Sequence, residues 1–227
     1  MEASNKVNLN REEIKVNKIK GNWWYYFTKR CFDFISSLLV ILLISWFLLI
    51  LWIIQLFATK GHPIFADKRI GYKGKEIKVY KFRSMYYDAE SNIDKYMTPE
   101  QKAIWLRERK LDDDPRITKF GKFLRKTSLD ELPQLFNILF GSMSVIGPRP
   151  ITRKELENFY PSELEVLYKA KPGLTGYWQV KARSNADFES GERQKLELEY
   201  FEKRGFWFDL GLIFRTIPAV LRKTGAQ

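Results

Sequence analysis

Two adjacent carboxylates, Asp130 and Glu131, sit in TSLDELPQLFN, directly after the cations Lys119, Lys122, Arg125 and Lys126. Acids placed among cations suit chemistry on phosphate, and what the chain lacks narrows that chemistry further. Its 227 residues include one cysteine, Cys31, and one histidine, His62. A zinc site built from Cys and His needs three or four such ligands, so it is excluded. No intramolecular disulfide can form. A Ser or Cys nucleophile activated by histidine would have to use His62, which lies in a turn-like GHP. Nucleophilic and acid–base work therefore falls to carboxylates, Lys and Tyr.

Two readings of the acidic pair stand side by side. Ser128-Leu-Asp-Glu131 matches a capping box, in which a Ser oxygen and a Glu three residues later satisfy each other's backbone N–H groups. Acids in a first helical turn also complement the macrodipole. The alternative is catalytic. Pro133 favours a helix start near Leu132, which puts Asp130 at or before a helix N-terminus, where phosphate is stabilised. Arg125 lies upstream, and Arg149 is held in Pro148-Arg149-Pro150, a stiff loop suited to bidentate phosphate recognition. Two neighbouring acids can hold Mg²⁺. The nearby cations are expected to lower the pKa of Asp130, keeping it ionised and able to attack phosphorus.

Other candidates carry weaker signals. Lys81 and Arg83 in YKFRSM read either as phosphate ligands or as solvated cations at a strand end. Asp112, Asp113 and Asp114 precede Pro115 and read as a turn sooner than a metal cluster. KPGLTGYWQVKARS, 171–184, has glycines, an internal Gln179 and a basic end; a loop carrying substrate contacts is one reading, and Trp178 reads as packing.

The elements that must position these residues follow from composition and pattern. Lys and Arg number 39 against 27 acids, a net charge of +12, which predicts acidic partners: phosphates, nucleic acid or anionic lipid. Residues 34–59, FISSLLVILLISWFLLILWIIQLFAT, contain no charge. As a helix they would span ~39 Å, more than a hydrocarbon core of about 30 Å. The run is too long and too far from the N-terminus for a signal peptide. A nucleic-acid binder does not account for it, and no binding motif of that kind is recognised. Cations flank it on both sides, so the positive-inside rule returns a near tie. That leaves two topologies: a re-entrant helix that returns to the face it entered, or a plain span oriented by the larger domain. Further on, EIKVYKF (76–82) predicts a strand and Thr98-Pro-Glu-Gln101 a capped helix to about residue 110. Helices are expected at 132–140, 152–170 and 186–204. Residues 205–223 read either as a helix lying in a membrane surface or as an amphipathic helix packed on the domain.

KRCFDFISSLLVILL, KVYKFRSM, DPRITKFGKFLRKTSLDELPQLFNILFGSMSVIGPRP and KPGLTGYWQVKARS resemble, in order, the motifs of the bacterial sugar transferase family, the monotopic phosphoglycosyl transferases that begin surface-glycan assembly. The resemblance runs from about Lys29 to the C-terminus. It implies transfer of a sugar-1-phosphate from a UDP-sugar to polyprenyl (undecaprenyl) phosphate, with release of UMP. It implies a covalent phosphosugar on Asp130, with Glu131 beside it and both acids toward Mg²⁺. Arg125 and Arg149 match cations near the phosphates, and Lys81, Arg83, Gln179 and Arg183 match further substrate-binding positions. The implied fold is helix-rich α+β. It comprises a basic segment 1–22, a membrane helix 23–60 and a cytosolic catalytic domain 61–227 at the cytoplasmic face of the bacterial inner membrane. No multi-span region precedes these motifs, so the chain looks like a minimal catalytic form. Membrane lipids and downstream glycosyltransferases are the implied partners, nucleic acid is not, and a homodimer is a reasonable arrangement. One departure bears on topology. Relatives often carry Ser-Pro where this chain has Ser45-Trp46, which removes the strongest reason for a kink. The charge tie and a cytosolic donor still favour the re-entrant form. Two other functions remain open: an Mg²⁺-dependent membrane-bound phosphohydrolase acting through the same Asp, and a non-catalytic adaptor whose basic face holds anionic lipid.

Overall fold

A computed structural model describes residues 19–108, 111, 113–159, 164–167, 169–181 and 191–221. The chain is helix-rich α+β with small sheets. It opens on one long helix, α1 (Trp23–Ala58). No Gly or Pro interrupts these 36 residues, and Asn22 Oδ1 accepts from Tyr25 N (3.0 Å) at their start. The helix begins eleven residues before the uncharged run, because Lys29, Arg30 and Asp33 all find partners and need no water. Ser37 and Ser45 donate to Asp33 O (2.6 Å) and Leu42 O (3.0 Å) within the helix itself. The most apolar 18-residue stretch has a mean hydropathy of 2.9, and α1 is long and apolar enough to cross a membrane.

Strands β1 (Ile64–Ile70) and β2 (Glu76–Phe82) form a two-stranded sheet, the second matching the expected strand. Then come α2 (Ile93–Tyr96), α3 (Pro99–Glu108), α4 (Lys119–Thr127) and α5 (Gln134–Leu139). The Thr98 capping box is present in full: Thr98 N donates to Gln101 Oε1 (3.0 Å) and Gln101 N to Thr98 Oγ1 (3.2 Å). Strand β3 (Ser144–Ile146) leads to α6 (Arg153–Phe159) and α7 (Leu164–Leu167). Both α6 and α7 fall within the helical stretch expected over 152–170, and residues 160–163 and 168 lie outside the described residues. Strand β4 (Gly173–Thr175) pairs in parallel with β3, Ser144 opposite Gly173. Helices α8 (Tyr177–Lys181), α9 (Glu192–Lys203) and α10 (Phe206–Leu221) complete the chain.

The residues divide into two compact units. Among the described residues the larger comprises 19–39, 68–79 and those from 136 to 221. Its core gathers Ile146, Leu156, Tyr200, Phe201 and Leu212. On the α1 side of this unit a polar stripe recurs every fourth residue, one face of a helix. Tyr25 and Lys29 reach Asp209 Oδ2 (2.9 and 2.6 Å), and Asp33 Oδ1 accepts from Ser144 Oγ (3.1 Å) and Val145 N (2.9 Å). The smaller unit comprises Val40–Asp67 and Tyr80–Leu135, with Leu51, Phe82 and Leu124 at its core and Leu129 and Leu132 packed on them.

Candidate active site

The acidic pair lies in the smaller unit, and its local backbone overturns the capping-box reading. Helix α4 ends at Ser128, which adopts the left-handed conformation (φ 58°); its N–H closes the helix on Leu124 O and Arg125 O. Ser128 is therefore the end of one helix, and its side chain caps nothing. Leu129–Glu131 form a single 3-10 turn that follows it, with Leu132 N donating to Leu129 O (3.3 Å). Asp130 thus precedes α5 by a separate turn. Helix α5 starts at Gln134, near the start expected from Pro133, and with only six residues its dipole offers little to a phosphate.

The packing of Leu129 and Leu132 into the core pins this turn and leaves Asp130 and Glu131 between them, both partly buried. Glu131 Oε1 accepts from Lys81 Nζ of β2 (3.0 Å). Lys81 is thus no solvated strand-end cation. Arg125, on the last turn of α4, donates from Nε to Ser84 Oγ (2.8 Å). That bond depends on Gly121: a Cβ there would lie 2.0 Å from Ser84 O, so only glycine lets α4 approach so closely. Thr118 caps α4 by accepting from Gly121 N (2.9 Å). Arg83 donates from Nε to His62 O (3.0 Å), and its guanidinium lies over the rings of Tyr87 and Phe65, 5.0 and 5.4 Å from their centroids. Among the described residues it has no carboxylate partner.

The charge state of Asp130 corrects a second expectation. Burial, followed by the charge of Glu131, pushes its carboxyl up to about 6; Lys81 and Arg125 pull the other way and lose. The cations hold the pair together without fully compensating its desolvation. This bears on Mg²⁺. Among the described residues no three His, Cys, Asp or Glu side chains gather. Two carboxylates nevertheless suit Mg²⁺, which is commonly bound by one or two protein acids together with substrate phosphates. A dication would also relieve the repulsion that raises Asp130, so the residues fit it. The acids upstream do not make a second metal site. Asp114 is buried against Arg116 (2.6 Å), which stacks on Trp105, and Asp113 pairs with Lys122 (2.5 Å). Asp112 lies outside the described residues.

Arg149 and Gln179 lie in the larger unit, so the predicted residues fall into two groups. The GPRP corner and the PGLTG stretch interlock. Gly173 N donates to Pro148 O (2.8 Å) and Gly147 N to Thr175 O (3.0 Å). A Cβ on Gly173 would lie 2.1 Å from Gly147 N, and one on Gly176 2.2 Å from Gly147 O. This lock sets Arg149 over one side of buried Trp178, 5.8 Å from the ring. Arg193 of α9 lies 4.1 Å from the same ring. Gln179 Oε1 is buried without a donor among the described residues. Arg183 lies outside the described residues. Sequence reasoning missed Ser84, the Lys29–Asp33 stripe and Arg193. The four-residue spacing of Tyr25, Lys29 and Asp33 was the available signal; Ser84 and Arg193 had none.

Comparison with known proteins agrees with these motifs. A family model for bacterial sugar transferase matches residues 24–223. The chain is 40% identical over 202 residues to an undecaprenyl-phosphate galactose phosphotransferase of Salmonella typhimurium, covering 88% of this chain and 42% of that protein. It is 37% identical over 200 residues to the exopolysaccharide production protein ExoY of Rhizobium meliloti, covering 87% of each. It is 40% identical over 194 residues to a UDP-glucose:undecaprenyl-phosphate glucose-1-phosphate transferase of Klebsiella pneumoniae, covering 83% of this chain and 39% of that one. The chain spans less than half the length of several curated relatives it matches. With the family match running over nearly its whole length, the chain belongs to the bacterial sugar transferase family.

Proposed function

We propose that the chain transfers a sugar-1-phosphate from a UDP-sugar to polyprenyl phosphate, through a covalent intermediate on Asp130. The observation that carries this reading is the partly buried Asp130–Glu131 pair, bound to Lys81 and flanked by Arg125. The names of the relatives supply the substrate class.

In the first step an Asp130 oxygen attacks the phosphorus bearing the sugar. The bond from that phosphorus to the bridging oxygen breaks, and UMP leaves with the bridging oxygen on its phosphate. In the second step a phosphate oxygen of the polyprenyl acceptor attacks the same phosphorus and releases the Asp130 carboxylate. A diphosphate-linked sugar remains on the lipid. Lys81 and Arg125 offset charge on the transferring group, and Lys81 also holds Glu131 in place. Asp130 and Glu131 would hold Mg²⁺, which would supply charge neutralisation of the diphosphate. Carboxylate attack requires Asp130 ionised, so a group at about 6 is already mostly charged at neutral pH while staying a better nucleophile than a more acidic one.

An acceptor carried in lipid matches the apolar α1, which we read as a membrane element placing the catalytic residues at the cytoplasmic face of the inner membrane. Re-entrant topology remains the favoured form of that element. A single cysteine introduced at position 10, in a Cys31→Ala background, should resist labelling from outside the cell; labelling there would establish a plain span instead.

The deciding experiment measures UMP release by detergent-purified protein with a panel of UDP-sugars and Mg²⁺, with and without undecaprenyl phosphate. Sustained UMP turnover that needs the lipid supports the transferase and names its donor, and without lipid a burst of at most one UMP per chain is expected from the first step alone. Sustained turnover without the lipid would overturn transfer in favour of hydrolysis.

A further inference from the structure

We infer that the larger unit holds a second anion site, a basic cavity that takes a phosphate-bearing group with a small substituent. The cavity measures about 220 Å³, and the argument rests on Tyr26, Arg30, Lys169, Lys171 and Arg204 in its walls. None of them belongs to the Asp130 group, and the inference does not depend on the transferase reading.

Charge is the first argument. Arg30 and Lys171 crowd the same glycine: a Cβ on Gly141 would lie 3.2 Å from Arg30 Cζ and 3.4 Å from Lys171 Nζ. Two cations brought this close repel one another, and burial adds to the cost. Burial, and then Arg30, lower the pKa of Lys171. The acid in the wall, Asp33, accepts from Ser144 Oγ and Val145 N, and its charge offsets only part of that of Arg30 and Lys171, since the same wall also carries Lys169 and Arg204. The charge of Lys29 is used by Asp209 (2.6 Å). Lys169 and Lys171 have no carboxylate partner among the described residues.

Preorganisation is the second. Arg30 donates to Ile138 O (2.7 Å) and Leu139 O (2.8 Å), which fixes its guanidinium at the cavity wall. Arg204 is fixed by Lys20 O and by Tyr26 Oη (2.5 Å). Arg204 is buried, and its Nη1 also donates to Lys169 O (3.4 Å), so it adds charge to the wall, while the flexible ammoniums of Lys169 and Lys171 beside Arg30 supply the charge-assisted donors for phosphate oxygens. Size then restricts the ligand. Pockets that enclose a drug-sized ligand measure roughly 300–1,000 Å³, so this one fits a phosphate and a small substituent and not a whole nucleotide sugar. Such a group comes either from an anionic lipid headgroup or from phosphate in solution.

The test uses the full chain and two probes. Inorganic phosphate is titrated by equilibrium dialysis against protein in detergent. Separately, protein in phosphatidylcholine nanodiscs with or without phosphatidylglycerol is released into native mass spectrometry, and retained lipid is counted. Saturable phosphate binding without lipid retention assigns the site to free phosphate. Preferential retention of phosphatidylglycerol assigns it to a headgroup. In either case Lys171→Gln should weaken binding about tenfold with helix content unchanged, and Lys171→Arg should keep most of it. Lys169→Gln repeats the test on an exposed residue should Lys171→Gln fail to fold. Lys95→Gln, at an exposed cation paired with Asp88, is the control for bulk charge. Absence of saturable binding by both probes would overturn the inference, as would equal losses in Lys171→Gln and Lys95→Gln.

Discussion

In 152–155 and 128–131 the same pattern, a hydroxyl residue followed three positions later by Glu, meets two different backbones. At Thr152 the chain enters α6, and the box closes: Thr152 N donates to Glu155 Oε2 (2.7 Å) and Glu155 N to Thr152 Oγ1 (3.1 Å). Arg69 adds a salt bridge to the same carboxylate (3.0 Å). Burial works to raise the pKa of Glu155, but these donors outweigh it and the net shift is downward. At Ser128 the chain is leaving α4 in a left-handed turn, so no box can close. Glu131 turns to Lys81, and Asp130, buried beside that second charge, is pushed up to about 6. One acid has been made part of the scaffold. The other is held in place without being satisfied, as a group that must later bond to phosphorus should be.

The largest expected effect breaks that comparison at its catalytic end. Asp130→Asn should lower transfer by about 10³-fold or more, as loss of a nucleophile does. It should also make the folded protein more stable near neutral pH. The sign follows from linkage: the folded pKa of Asp130 lies above its unfolded value, so the fold binds the extra proton and ionisation opposes folding. Stability from this group is greatest below about pH 4 and is lost as pH rises toward about 6. The gain on substitution is about 1–3 kcal/mol, the lower part of the range reflecting partial exposure. Glu155→Ala should do the opposite and cost about 1–3 kcal/mol. The Glu155 contribution is present above the unfolded pKa and is lost as pH falls through the folded one. Urea denaturation of both variants at pH 4 and pH 7.5, in the absence of divalent metal, checks both signs.

A smaller effect tests what holds the catalytic turn. Gly121→Ala places a methyl 2.0 Å from Ser84 O, and overpacking of this kind costs about 1–3 kcal/mol. Because Ser84 Oγ accepts from Arg125, the same change should reduce kcat more than it raises KM. Gly211→Ala in α10 meets nothing within 4 Å and should gain about 0.5–1 kcal/mol from helix propensity, leaving kcat alone. Thermal melts with steady-state kinetics on both variants separate a close approach from an idle glycine.

Much of this arrangement was legible in the chain, for identifiable reasons. The strand at 76–82 and the box at Thr98 depend on local pattern alone, and both form as expected. Lys81, Arg125, Asp130 and Glu131 come together because they occupy one strand and one helix-turn of the same unit. The errors arise where a local rule had two solutions. Ser128 could begin a helix or end one, and the favourable packing of Leu129 and Leu132 goes with ending it. The pKa of Asp130 could follow nearby cations or burial, and sequence shows the cations but not the burial. The Arg30–Lys171 crowding joins residues far apart in the chain, which no spacing rule encodes.

The smallest predicted effect returns to the capping pattern and sharpens the comparison where no chemistry intervenes. Thr98 makes its box in full at an exposed helix start, so Thr98→Ala should cost about 1 kcal/mol and leave transfer unchanged. Ser128 makes no side-chain cap and holds a positive φ that glycine adopts freely. Ser128→Gly should therefore be neutral or gain up to about 1 kcal/mol, the relief of the left-handed turn offsetting the added freedom of the unfolded chain. Two substitutions at residues sharing one sequence pattern would then carry opposite signs in the same denaturation assay. Equal losses at both would mean that the Ser128 hydroxyl caps a helix after all, and Asp130 would become an ordinary first-turn acid.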